Sequence, residues 1–198
     1  MALVRVATED DVAEVAGILA AGFWDDPVMS WVFDEPGRLA KLDTLFGFSM
    51  TSRFLPAGRT YLMDAAAAGW IPPEAVPEAG AGGGDESEFV SRLFAAGASA
   101  EELGRLGAMA AAMDEAHPTQ PHWYLAMIAT RPERWGQGVG TVLMQHALET
   151  VDEQHMPAYL ESSNPRNITL YKRHGFVVTG TIDVADGPPL TPMWREPR

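Results

Sequence analysis

The feature that most restricts this chain is a strand-like run that passes through a glycine-rich turn into a helix. Trp123-Tyr124-Leu125-Ala126-Met127-Ile128-Ala129-Thr130 is apolar and rich in strand formers. Arg131-Pro132-Glu133-Arg134-Trp135 breaks the run, and Gly136-Gln137-Gly138-Val139-Gly140 follows. Val139, Val142, Leu143, His146, Ala147, Thr150 and Val151 then recur at helical spacing. Glycines let the backbone turn tightly and approach a ligand closely. The first amides of a helix have no intrahelical partner and lie at the positive end of its dipole. The pattern therefore predicts an anion cradle at the head of a helix. It is not a P-loop, since no lysine follows the glycines, and it is one residue short of the dinucleotide spacing.

The rest of the chain alternates short strands with helices. Leu3–Val6 reads as a strand, and Thr8 to Asp11 is a capping-box pattern ahead of Val12, Val15, Ala16, Leu19 and Phe23. Val28–Phe33 is a short apolar element stopped by Pro36-Gly37, and Leu39, Leu42, Leu45, Phe46 and Met50 mark a helix ending near Pro56. Thr60–Met63 and Ala67–Ile71 read as two strands ended by Pro72-Pro73. Glu74–Gly84 reads as a flexible loop, and Glu86–Ala116 as a mostly helical stretch weakened at Gly97 and Gly107. Ala158–Ser162 is a strand, Asn164-Pro165 caps a helix that stops at Gly175, and Phe176–Val184 and Met193–Arg195 are the last strand candidates.

The 198 residues suit a single domain with a core of ordinary size. It divides into an acceptor-side half (1–73), a loop with a helical insertion (74–121) and a cradle-bearing half (122–198). The formal charge of −13 disfavours nucleic acid and anionic membrane; it favours a cationic small molecule or serves solubility alone. Nine acids between positions 74 and 115, opposed only by Arg92 and Arg105, admit an acidic lid as well as an ordinary solvated helix face. There are no cysteines, which removes disulfides, thiolate metal sites and a cysteine acyl-enzyme. The opening residues carry acids by position 9 and no apolar leader core, so a cytoplasmic protein is expected, with no metal.

Downstream of the glycines come Tyr159-Leu160-Glu161-Ser162, Asn164-Pro165-Arg166-Asn167 and Tyr171-Lys172-Arg173-His174-Gly175-Phe176. With these in place the chain resembles the GNAT superfamily of N-acetyltransferases. It is most like the puromycin N-acetyltransferase branch, through Leu160–Asn167 with Leu170-Tyr171, the opening Val4–Val12 and the closing Asp183–Pro188. The resemblance implies an α/β (α+β) fold with a mixed, mostly antiparallel central sheet flanked by helices on both faces. It also implies acetyl-CoA as cosubstrate. Ile128, Ala129 and Thr130 would pair with its pantetheine arm, and the amides of Gly136, Gln137, Gly138, Val139, Gly140 and Thr141 would hold its pyrophosphate. Asn167 would bind the arm or ribose, and Tyr171 would stand near the thioester sulfur as general acid. Trp135 occupies a position where the family usually carries Gln or Arg, and it would pack on or cover the cofactor instead.

Transfer to an amine needs a group that takes a proton from the substrate ammonium. Glu161, on the strand beside the cofactor, is the first candidate, and His122 and Tyr124 at the start of the central strand come next. Each also has an ordinary use, as a local cap, a satisfied histidine or core. Phe23, Trp24, Trp31 and Tyr124 are candidates for an apolar acceptor wall, against plain core packing. The expected activity is direct acetyl transfer to a small-molecule amine, with an aminonucleoside-like antibiotic and a resistance-type role as one candidate and a homodimer as one assembly. A non-catalytic acyl-CoA sensor and a protein N-terminal or lysine acetyltransferase are the rivals.

Overall fold

A computed structural model describes residues 3–75 and 85–198. Nine of the eleven residues of the loop read over Glu74–Gly84 lie outside that set. Strand β1 (Arg5–Val6) leads through a single 3-10 turn into helix α1 (Val12–Phe23). Asp11 fixes this start: its carboxylate accepts the Thr8 amide at 2.8 Å and both arms of Arg5 at 2.6 Å. The apolar element after Asp26 is a helix, α2 (Pro27–Val32), with Asp26 as a true N-cap and Pro27 at the first position. Helix α3 (Arg38–Ser49) runs into a π turn over Met50–Phe54 and a short α4 (Leu55–Ala57).

Strands β2 (Thr60–Met63) and β3 (Ala66–Ile71) form a hairpin. The insertion is two helices, α5 (Glu86–Ala95) and α6 (Ala100–Ala116), broken where Gly97 takes a left-handed turn. The central strand β4 (Trp123–Thr130) is followed by α7 (Val139–Glu153), β5 (Ala158–Ser162), a 3-10 turn over Pro165–Asn167 and α8 (Ile168–Arg173). The stretch read as one strand over Phe176–Val184 is strand only at β6 (Val177–Val178), with one isolated bridge at Ile182 to Leu190. Thr179 still donates to the Pro192 carbonyl, but Pro192 has no N–H to return the bond, and the ladder breaks there. Strand β7 (Thr191–Arg195) closes the chain's pairing.

The seven strands lie in the order β1-β2-β3-β4-β5-β7-β6. Every pair is antiparallel except β4 with β5. One apolar face of the sheet is covered by α1, α2, α3 and the insertion helices, and the other by α7 and α8. The mixed, mostly antiparallel sheet with helices on both faces is the fold expected from the sequence.

One irregularity shapes the molecule. Met127 pairs with Gly69 but Leu125 with Trp70, so Ala126 has no partner of its own. Side chains in β4 alternate between the two faces until Ala126 and Met127, which both turn toward α1 and α3. Such a bulge bends a strand and strengthens its local twist. On the other side β4 meets β5 only at Trp123–Ala158 and Tyr124–Tyr159. From Leu125 on, the two parallel strands have separated, and β4 keeps only β3 as a partner.

Candidate acetyl-transfer site

The separation of β4 from β5 leaves one edge of β4 open in the middle of the sheet, and the glycine turn lies at its end. Gly136 and Gly138 have φ of 74° and 80°, and Gly138 is the left-handed N-cap of α7. A Cβ at either would meet nothing within 4 Å, so both face open space. The Gly138, Val139, Gly140 and Thr141 amides have no backbone acceptor among the described residues, the first bond into the helix being Val142 to the Gly138 carbonyl. Side chains around the turn are already engaged. Arg134 pairs with Asp64 and donates to Gln137 Oε1, and Gln137 donates to the Glu133 carbonyl. The Trp135 indole N–H donates to the Thr130 carbonyl at 2.7 Å, covering the end of β4. What remains for a ligand is backbone N–H at a helix head, the donor set an anionic phosphate needs. These residues fit a pyrophosphate.

Next to the opening lies a cavity of about 780 Å³. Ile128, Asn167, Tyr171, Tyr124, His117 and Glu161 all line it. Its apolar wall includes Phe23, Phe46, Phe48, Phe54, Phe89 and Met109. Trp24 and Trp31 do not line it. Trp24 is half exposed with the Arg38 guanidinium 5.5 Å over its ring, and Trp31 packs its ring against Gly187. Asn167 ends the 3-10 turn and Tyr171 sits one turn into α8, so both reach the cavity.

Tyr171 is buried, and burial together with the negative Asp26 carboxylate pushes its phenol up, so the hydroxyl stays protonated. Asp26 comes from the other half of the chain. One of its oxygens caps α2, at 3.0 and 3.2 Å from the Val28 and Met29 amides, and the other accepts the Ser163 hydroxyl at 2.7 Å. Burial raises its own pKa above the carboxylate norm, partly offset by those bonds. An Asp before Pro is legible as a cap, but its place beside Tyr171 is a tertiary contact with no local signal.

Glu161 points to the same face as Tyr159, two residues earlier, with its side chain 1% exposed. Its Oε1 lies 3.6 Å from His117 Nδ1. His117 Nε2 is 3.1 Å from His122 Nε2, and His122 Nδ1 is 2.7 Å from the Gln120 carbonyl. A carbonyl only accepts, so His122 Nδ1 carries a proton. Burial, with the neighbouring His117 charge, lowers the His122 pKa, so its Nε2 is an acceptor for His117 Nε2–H. His117 Nδ1 then faces the Glu161 carboxylate. Burial pushes the Tyr124 and Tyr159 phenols up, and the Glu161 charge beside them pushes further. His122 itself is 1% exposed and stands behind His117, not on the cavity. His117, at the end of the insertion, was not among the sequence candidates, because its partners come from β4 and β5.

The chain is similar to known proteins in sequence and in fold. A stretch of 78 residues is 32% identical to an uncharacterized N-acetyltransferase of Schizosaccharomyces pombe, covering 38% of this chain and 32% of that protein. The chain thus spans about a third of the length of that curated relative. A solved structure of a histone acetyltransferase HPA2 and related acetyltransferase from Corynebacterium glutamicum superposes with a TM-score of 0.74 at 27% identity, covering 100% of this chain and 97% of that one. The C-terminal condensation domain of Ebony, solved with beta-alanyl-dopamine, shares the fold at a TM-score of 0.67 and 11% identity, over 99% of each chain. The model of the acetyltransferase (GNAT) family matches residues 69–176, more than half the chain, and the protein belongs to that family.

Proposed function

We propose that this protein is an acetyl-CoA-dependent N-acetyltransferase that moves an acetyl group directly to the amine of a small molecule with an apolar body. The observation that carries this is one cavity that joins the open edge of β4, Tyr171 and the Glu161–His117 pair. Bound acetyl-CoA would supply the thioester carbonyl as electrophile. The free amides from Gly138 to Thr141 hold its pyrophosphate, the open β4 edge from Ile128 to Thr130 pairs with the pantetheine arm, and Asn167 reaches the arm or ribose. Trp135 closes the end of that edge.

The Glu161–His117 pair takes a proton from the acceptor ammonium, and His122 fixes the His117 tautomer from behind. An imidazole nitrogen facing a carboxylate is a suitable general base, worth ~10²–10⁴-fold. Tyr171, kept protonated, offers its hydroxyl proton at the departing sulfur. With no cysteine in the chain, a thiol acyl-enzyme is excluded, and the reading is direct transfer in a ternary complex.

The aromatic wall favours acceptors with an aromatic or aliphatic body. Aminonucleoside-like antibiotics belong in the first panel, because the sequence resembles the puromycin-acetylating branch. The test is release of coenzyme thiol, which this cysteine-free protein reports without background. Turnover with an apolar amine is expected, and Tyr171→Phe should lower kcat by ~10²-fold or more with acetyl-CoA binding retained. Binding of acetyl-CoA with no turnover on any amine would establish the sensor reading instead.

A further inference from the structure

The π turn at Met50–Phe54 places one cation in the cavity. π turns are rare and recur at functional sites, because the extra residue redirects the side chains that follow. Here Arg53 lines the cavity, its guanidinium carbon 6.0 Å from the centroid of the Tyr124 ring. Its Nε is buried without a partner, and its guanidinium forms no hydrogen bond or ion pair among the described residues. Arg5, Arg38, Arg92, Arg105, Arg134 and Arg195 each pair with a carboxylate; among the described residues Arg59, Arg131, Arg166, Arg173 and Arg198 do not, but none of these lines the cavity. Arg53 is the only Arg or Lys among the cavity's lining residues, and the acids there, Glu86, Asp114 and Glu161, do not pair with it.

A guanidinium brought partly out of water with its fork unfilled is costly unless a ligand completes it. Its planar donors match a carboxylate or phosphate best. The Tyr124 ring that lies 6.0 Å from Arg53 is also 4.8 Å from the His117 ring, edge to face. The anion site and the proton-accepting pair therefore flank one aromatic ring, with the apolar wall beside them.

We propose that Arg53 is an anion anchor, and that the acceptor is an apolar amine carrying a carboxylate a few bonds from its nitrogen, of the kind found in hydrophobic amino acids. This rests on the acetyltransferase reading and narrows its substrate class. It also sets a local limit on the charge argument: a net charge of −13 draws cations to the molecule, while the acceptor pocket itself holds a free positive group.

Matched acceptors test it. Phenylalanine, phenylalaninamide and phenethylamine share the ring and the amine and differ in the anion. The protein should use phenylalanine better than the other two by roughly tenfold or more in kcat/KM, expressed mainly in KM, as expected for one charge-assisted contact. In Arg53→Met that ratio should fall toward one, and Arg53→Lys should keep part of it. Equal or better use of the amide, or an Arg53→Met variant that lowers all three alike, would overturn the anchor. Calorimetry with 3-phenylpropionate needs no turnover: binding to the wild type and its loss in Arg53→Met support the anchor even if no amine is acetylated, which would sink only the acetyltransferase reading. Absent binding together with absent acid preference would sink the anchor while leaving acetyl transfer intact.

Discussion

At the scale of single residues, Asp26 shows how one side chain serves two ends. Its first oxygen satisfies two free amides of α2, and its second holds the Ser163 hydroxyl in the loop that leads to Tyr171. Asp26→Ala removes the cap and leaves those amides buried, so a loss of ~1–2 kcal/mol is expected in denaturant unfolding. Asp26→Asn keeps an acceptor for the cap and removes a buried charge, whose raised pKa marks a cost of ionisation in the folded state. It should therefore be no less stable than the parent at neutral pH. An Asn variant as unstable as the Ala variant would show that the charge, and not the cap, is what matters. Residue by residue, the site was unevenly legible. The turn glycines, Asn167 and Tyr171 stand in a recognisable order along the chain. His117 and Arg53 do not, since neither an insertion helix nor a π turn has a sequence pattern that says where its last side chain will point. Trp24 and Trp31 illustrate the converse: an aromatic on a helix is visible in sequence, but the face it occupies is set by what packs against that helix.

At the scale of elements, the insertion is clamped to the fold. Lys41 on α3 and Glu102 on α6 form a buried pair at 2.6 Å, with side chains 6% and 2% exposed. The Glu102 carboxylate also accepts the Asp34 amide at 2.7 Å and, as the capping box of α6, the Ser99 amide at 2.7 Å. Burial raises its pKa, yet the Lys41 ammonium and those amides outweigh burial and hold it below the carboxylate norm. Its contribution is thus present above the ordinary carboxylate value, near 4.5, and lost as pH falls through the lowered folded value. Replacing Glu102 by Ala strands a buried ammonium and should cost ~3–5 kcal/mol, whereas Lys41→Met with Glu102→Leu should recover much of that loss in the same unfolding assay. A double variant as unstable as the single would refute the pairing as the source. The nine acids of the insertion suggested a lid, and composition could suggest no more than that. Glu102 is spent on this clamp and Glu88 on Arg92, leaving Glu86 and Asp114 at the cavity. The helices themselves are readable from apolar spacing, whereas the break in Phe176–Val184 comes from Pro192 on the strand opposite, which the composition of the stretch itself does not show.

At the scale of the whole molecule, the parting of β4 and β5 concentrates function. A sheet that paired fully would give up its open edge and divide the cavity. The bulge at Ala126 bends β4 away, Gly22 on α1 lets that helix cross the end of the strand, where a Cβ would lie 2.6 Å from Ala129 Cβ, and α7 presents its amides on the far side. Elements from both halves of the chain thus border one gap and are joined there by few backbone bonds. A ligand that fills the gap pairs with β4 and caps α7 at once, so its binding energy appears as folding stability. Acetyl-CoA at a hundredfold excess over its Kd should add ~2.7 kcal/mol. For a chain of this size that corresponds to a rise in Tm of roughly 5–10 °C. Coenzyme A without the acetyl group should give most of the effect, because on the proposed reading the cradle and the strand edge bind the parts the two share. Gly138→Ala should weaken it, since φ of 80° strains any residue with a Cβ and the methyl would enter the space left for phosphate. If saturating acetyl-CoA leaves Tm unchanged in the parent protein, the gap is not the donor site, and the proposed chemistry loses its electrophile.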